Sequence, residues 1–283
     1  MRPDIFYKYT SPDTALVVLR NMTLRWSSPG LFNDPLELRR MPRISPPPIA
    51  SFRAYMTTLG EAAAGLRTLD ESKLTSDSQK YMQIFRNALQ RHSLHTILST
   101  LPTTLPDHDK EIDEALVQYL EHNDARILCL SETPTNNAMW ANYAMNATGC
   151  VLGFRPTQNS WLDDVKQVRY FDELPVLGSG VDLLLYGHTA EMTQRSMDVL
   201  GYSKKAEWGY EKEWRILLWA EEKDDALYSD YLFNVSELES VTFGVRISKI
   251  TEDAVRVLVA ERYLNCQLYR MVVKGGETVR LLA

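Results

Sequence analysis

The stretch "EWGYEKEWRILLW", residues 207–219, sets two glutamates one residue apart, adds an arginine and runs straight into apolar residues. Read as a strand over 212–219, it sorts itself by the two-residue period of extended chain. Trp214, Ile216 and Leu218 then face a core, while Glu211, Glu213 and Arg215 share the other face. A strand that is greasy on one side and charged on the other marks the edge of a site. Glu213 is the expected functional carboxylate, with Glu211 and Arg215 tuning it. The alternative is a plain salt bridge with Arg215.

Working outward, residues 126–131, 149–155, 166–171, 240–245 and 266–273 also read as strands. Between them lie helical runs near 136–146, 181–200 and 250–263. At the other end, "DIFYKYTSPDTALVVLRNMTLRWSSPGLFNDP" reads strand, helix, strand, loop, with Ser11 as cap and Pro12 at the first helical position. Residues 41–125 differ: helical periodicity dominates, with breakers at Pro102 and Pro106. The pattern predicts an α+β fold whose mixed or antiparallel sheet is assembled from both ends of the chain. We expect one domain, 1–283, with a helical insertion at 41–125.

Composition narrows the function. The chain has 283 residues, 45% of them hydrophobic, and a net charge of −6, which argues against broad binding to a phosphate backbone. Cys129, Cys150 and Cys266 form neither a disulfide framework nor a metal-ligand spacing, which fits a reducing cytoplasm. No run of about 20 apolar residues is present, so no membrane partner is expected. The histidines, His92, His95, His108, His122 and His188, fall in no ligand pattern, although one helix would align His92 with His95, and no metal is expected. Phosphate loops of the GxxxxGK[ST] and GxGxxG types and a GxSxG elbow are lacking, which disfavours the enzyme classes built on them.

The remaining candidates cluster at strand ends. Tyr7 and Tyr9 share a face of the first strand, where they can stack on a ring or simply edge the core. Arg25, Ser27, Ser28, Asn33 and Asp34 have a composition suited to a phosphate or ribose, or merely to a turn. In "CLSETPTNNAMWANYA" a strand ends at Ser131, Thr133 or Thr135 caps a helix, and Trp140 and Tyr143 share one helix face.

The motifs "FYKYTS", "LRWSSPGLFNDPLE", "LCLSETPTNNAMWANYA", "GCVLGF", "VRYFDELP", "WGYEKEWRILL" and "VTFGVRIS", in this order, resemble a bacterial family catalogued as domain of unknown function 2971. The order of elements is also similar to that of ADP-ribosyltransferases. Those enzymes open on a strand with an aromatic or basic residue, carry a serine-threonine element on a middle strand and end on a Glu-x-Glu or lone glutamate. That resemblance implies a split sheet and NAD as substrate. It also implies roles: Tyr7 or Tyr9 stacking on nicotinamide, Arg25 pairing with the pyrophosphate, and Ser27, Ser131, Thr133, Trp140, Tyr143 and Arg215 lining the nucleotide site. Glu213 would stabilise an oxocarbenium-like ribose, and Glu211 would orient or deprotonate the acceptor. The first strand departs from the pattern, having no histidine or arginine at the expected place, and "SET" only approximates the serine-threonine-serine element.

Three functions follow as expectations. The first is an ADP-ribosyltransferase-like or NAD-cleaving enzyme, a bacterial defence or toxin effector acting on a protein or nucleic-acid acceptor. The second is a non-catalytic sensor that binds a nucleotide or a protein. In the third, a glycosidase or nucleic-acid-processing enzyme uses Glu211 and Glu213, ~6.6 Å apart along a strand, as an acid-base pair.

Overall fold

The computed structural model describes residues 2–34, 36–38, 42–102, 124–220 and 226–283. The chain divides into two compact units, one of Met1–Glu37, Glu121–Asp172 and Tyr202–Ala283, the other of Leu38–Leu120 and Glu173–Gly201.

The first unit is built on a sheet of ten strands: β1 (Phe6–Thr10), β2 (Thr23–Ser27), β3 (Asp124–Ser131), β4 (Cys150–Phe154), β5 (Lys166–Gln167), β6 (Glu213–Ala220), β7 (Tyr228–Leu232), β8 (Leu238–Phe243), β9 (Gln267–Lys274) and β10 (Glu277–Leu282). They run in the order β7-β2-β3-β1-β4-β8-β9-β10, with β6 pairing β3 and β5. Every pairing is antiparallel except β8 with β9, which are joined through helix Lys249–Arg262. The class is therefore α+β with a mostly antiparallel sheet.

The pairing of β3 positions the site. Along one edge β3 is zipped to β6 from Asp124 to Ser131. Along its other edge it meets β2 only at Ile127 and β1 only at Ser131. The sheet opens between those two points. The Cys129 carbonyl is left there for a side chain, and Lys8 Nζ donates to it at 2.9 Å, as buried backbone acceptors require.

One sheet face carries the main core, in which Phe6, Leu128, Leu130, Leu152, Trp214, Ile216 and Val241 pack with residues of the two helices Pro12–Asn21 and Lys249–Arg262. As the sequence suggested, Ser11 caps the first helix, accepting from the Thr14 amide, with Pro12 at its start. On the opposite face Tyr7, Tyr9 and Val151 pack with Met139, Trp140 and Ala144 of helix Asn137–Tyr143 and its C-cap. This helix is capped by Asn136, whose side chain accepts from the Met139 amide, and not by Thr133 or Thr135 as expected. Asn sits one residue from the helix start with the extended backbone a cap needs.

The second unit has its own core of Phe52, Tyr55, Leu59, Met82, Phe85 and Leu185. It holds helices Pro48–Ala63, Ser76–Leu89, Leu94–Ser99 and Gly180–Tyr186, with a two-stranded parallel ladder of Arg43–Ile44 and Val176–Gly178. The helical stretch expected at 181–200 is broken at Gly187, where φ is +69°. His92 precedes the helix that holds His95, so no single helix aligns them. His108, His122 and the rest of 103–123 lie outside the described residues.

Candidate functional site

Strand β6 starts one residue later than the charge pattern suggested. Ala206–Glu211 forms a 3-10 turn that ends with Lys212 at φ +45°, and the strand begins at Glu213. Glu211 therefore does not share a strand face with Glu213 and Arg215, which corrects the expected alternation. The left-handed residue breaks the two-residue period, yet the turn swings Glu211 back onto the same lysine that holds Glu213.

That lysine is Lys204, on Ser203–Lys205, a short strand paired in parallel with Arg169–Phe171. Its Nζ lies 2.7 Å from Glu211 Oε2, 2.9 Å from Glu213 Oε2 and 3.4 Å from Glu37 Oε2. Arg215 donates through Nε and Nη2 to the two oxygens of Glu213, each at 2.9 Å, and through Nη1 to Glu37 Oε1 at 2.8 Å. All five groups are withdrawn from water, with exposures of 0% for Arg215 and 7% for Lys204 bracketing the three glutamates. Charges removed from solvent in this way survive only when paired and hydrogen-bonded. Among the described residues three carboxylates face two cations, with one negative charge in excess.

The excess does not fall evenly. Burial works against the charge of Glu213, but Arg215 and Lys204 outweigh it and hold the carboxyl at about 2. For Glu211, burial and then repulsion from Glu213 outweigh the pull of Lys204, so its carboxyl is raised. Its Oε1 accepts from the Tyr143 hydroxyl at 2.5 Å. Burial and Glu211 together push Tyr143 up, so the phenol keeps its proton as donor. Burial also works against the charge of Lys204, but the three carboxylates prevail and keep it ammonium.

Above this cluster, where the sheet opens, lies a cavity of about 320 Å³. Its walls include Tyr7 and Tyr9 of β1, Ser27 of β2, Cys129 and Ser131 of β3, Asn33 and Asp34, Asn142 and Tyr143, and its floor includes Lys204, Glu211 and Glu213. Tyr7 stands opposite Ser131 on one side and Glu213 stands opposite it on the other, so the three form one row across the sheet. The Ser131 hydroxyl donates to the Glu211 carbonyl at 2.7 Å, tying the middle strand to the turn that carries Glu211.

Of the residues the sequence singled out, Tyr7, Tyr9, Ser27, Asn33, Asp34, Ser131, Tyr143, Glu211 and Glu213 line this cavity, and Arg25, Ser28, Thr133, Trp140 and Arg215 do not. Arg25, two residues before Ser27 on β2, is exposed, 3.4 Å from Asp230 and stacked on Tyr228. The pairing of β2 with β7 sets it opposite Asp230. Thr133 contributes its carbonyl to the Tyr9 hydroxyl. Trp140 packs edge-on against Tyr9 at 5.5 Å and donates its indole N–H to the Pro134 carbonyl, so it braces the wall from behind. Arg215 sits behind Glu213.

Sequence reading missed Glu37, Lys204 and Tyr170, whose hydroxyl accepts the Glu213 amide at 2.7 Å. The signal for Lys204 is the charge rhythm of "SKKAEWGYEKEWR", in which the acids have a lysine seven and nine residues upstream. Nothing local marks Glu37, which closes "LFNDPLE" and reaches Arg215 only through the fold.

The fold and site define an α+β protein with a cavity at an opening in its sheet and an ion-paired carboxylate floor. No known family, no curated protein and no solved structure matches the chain. Among the described residues no helix is long and apolar enough to cross a membrane.

Proposed function

We propose that this cavity is the active site of an ADP-ribosyltransferase-like or NAD-cleaving enzyme, a member of the family that its motifs resemble, acting in bacterial defence or as a toxin in the cytoplasm. The observation that carries the reading is the row Tyr7, Ser131, Glu213 with Glu211 beside it, all lining one cavity. The volume, about 320 Å³, suits one nucleoside half of NAD within the range of small-molecule sites. Breaking a nicotinamide-ribose bond builds positive charge on the ribose, and a fixed carboxylate facing it lowers the barrier.

The roles of the two glutamates exchange relative to the sequence expectation. Glu213 has both oxygens saturated by cations and serves as the anchor. Glu211 faces the cavity with one cation and one phenol and is the carboxylate offered to the ligand. Lys204 bridges the two acids and holds both in one ion cluster.

The test is NAD consumption, with and without candidate protein or nucleic-acid acceptors, for wild type, E211Q and E213Q. We expect turnover in wild type and a loss of two or more orders of magnitude in folded E211Q. Equal turnover in both removes the role of Glu211. A second reading, a nucleotide-binding sensor without chemistry, is favoured by the saturation of Glu213, and ADP-ribose binding without turnover would select it.

A further inference from the structure

The face that holds the cavity continues past Tyr7 across β4 and β8, and over it lies the side chain of Arg280 from β10. Its Nε donates to Thr242 Oγ1 at 2.9 Å and its Nη2 to Ser240 Oγ at 3.1 Å. The guanidinium carbon stands 3.6 Å over the Tyr269 ring and 5.7 Å from the centre of the Tyr7 ring. Gly153 lies between Tyr7 and Ser240, opposite both. A Cβ there would come within 2.4 Å of Ser240 Oγ, so the gap in side chains at Gly153 is what lets the hydroxyl turn toward the arginine.

The partners of this arginine are hydroxyls and rings, and none is an acid. Arg256 and Arg270, half-buried as well, both meet the carboxylate of Glu252. Arg280 has no ion pair among the described residues, and its further partner there is the Tyr7 phenol, which is hydrogen-bonded to it. A planar fork fixed by two hydroxyls and a stacked ring keeps its charge and its remaining N–H groups in place for an anion.

Resting on the reading of the cavity as a nucleotide site, we propose that Arg280 binds the phosphate groups of the nucleotide whose base or ribose lies against Tyr7. Arg280 thus takes the part that the resemblance implies for Arg25, which the fold pairs with Asp230.

The experiment is isothermal titration of wild type, R280Q and R280K with ADP-ribose, with inorganic pyrophosphate and with nicotinamide riboside, which has no phosphate. NAD consumption is measured on the same samples, and thermal melting checks that each variant is folded. We expect R280Q to weaken ADP-ribose at least tenfold, R280K to weaken it less, and nicotinamide riboside to bind all three alike. If R280Q does not fold, R280K carries the comparison through its lost second N–H contact. Equal ADP-ribose affinity in a folded variant, or no binding of ADP-ribose and pyrophosphate by wild type, overturns the proposal. Arg280-dependent ADP-ribose binding without NAD consumption upholds the anion site and removes the enzyme reading. NAD consumption with a KM unmoved by R280Q does the reverse.

Discussion

Glu211 and Glu213 share one lysine, yet their carboxyl groups are displaced in opposite directions because only Glu213 also receives Arg215. The consequences for stability have opposite signs. Glu213 is depressed from its ordinary 4.5 to about 2, so its contribution is intact above 4.5 and is lost as pH falls toward 2. Glu211 is raised, so its protonated form is favoured by folding, and its contribution is lost as pH rises through the raised value. In melting curves against pH, E213Q should lose about 3–5 kcal/mol near neutrality, because Arg215 and Lys204 are left short of a buried partner. The acid-side slope should shrink with it. E211Q should cost less and should flatten the loss on the alkaline side of the Glu211 titration. Equal costs for the two variants would show that the cluster does not divide its charge in this way.

At the level of elements, the site depends on how few contacts β3 makes along one edge. Had β1 and β2 formed a continuous ladder with β3, their backbones would close the opening that Lys8 now spans. The row that holds the site also depends on Gly153, where a Cβ would meet Ser240 Oγ at 2.4 Å and Tyr7 Cε1 at 3.1 Å. G153A should therefore destabilise by about 1–3 kcal/mol, the usual result of forcing an extra carbon into a filled space. It should also shift the environment of Tyr7 and Ser240 together, visible as chemical-shift changes on both β1 and β8. A neutral G153A with an unchanged spectrum would mean that these strands yield without cost.

For the whole molecule, the two units each enclose a separate core. Leu59 is wholly buried in the second, among Phe85 and its neighbours. L59A should cost about 2–5 kcal/mol through lost burial and the cavity left behind. Hydrogen exchange is expected to quicken in helices Pro48–Ala63 and Ser76–Leu89 while amides of β1, β4 and β8 stay protected, since sub-global opening follows the local core. Uniform quickening through both units would show a single cooperative core instead.

Local sequence determined a good deal. Ser11-Pro12 starts a helix, Trp214 and Ile216 turn one face of β6 inward, and the runs at 126–131, 149–155 and 250–263 adopt the structure that their periodicity predicts, because each rests on interactions within a few residues. The row of Tyr7, Ser131 and Glu213 was half legible, since strand ends could be read but not their pairing. Register, the opening beside β3 and the meeting of Glu37, Lys204 and Arg215 were decided only by the tertiary structure. Arg215 and Glu37 lie 178 positions apart in the chain, and no local period encodes which distant acid a buried cation will find. The fold brings them together because a desolvated charge must be paired, and that requirement acts through space.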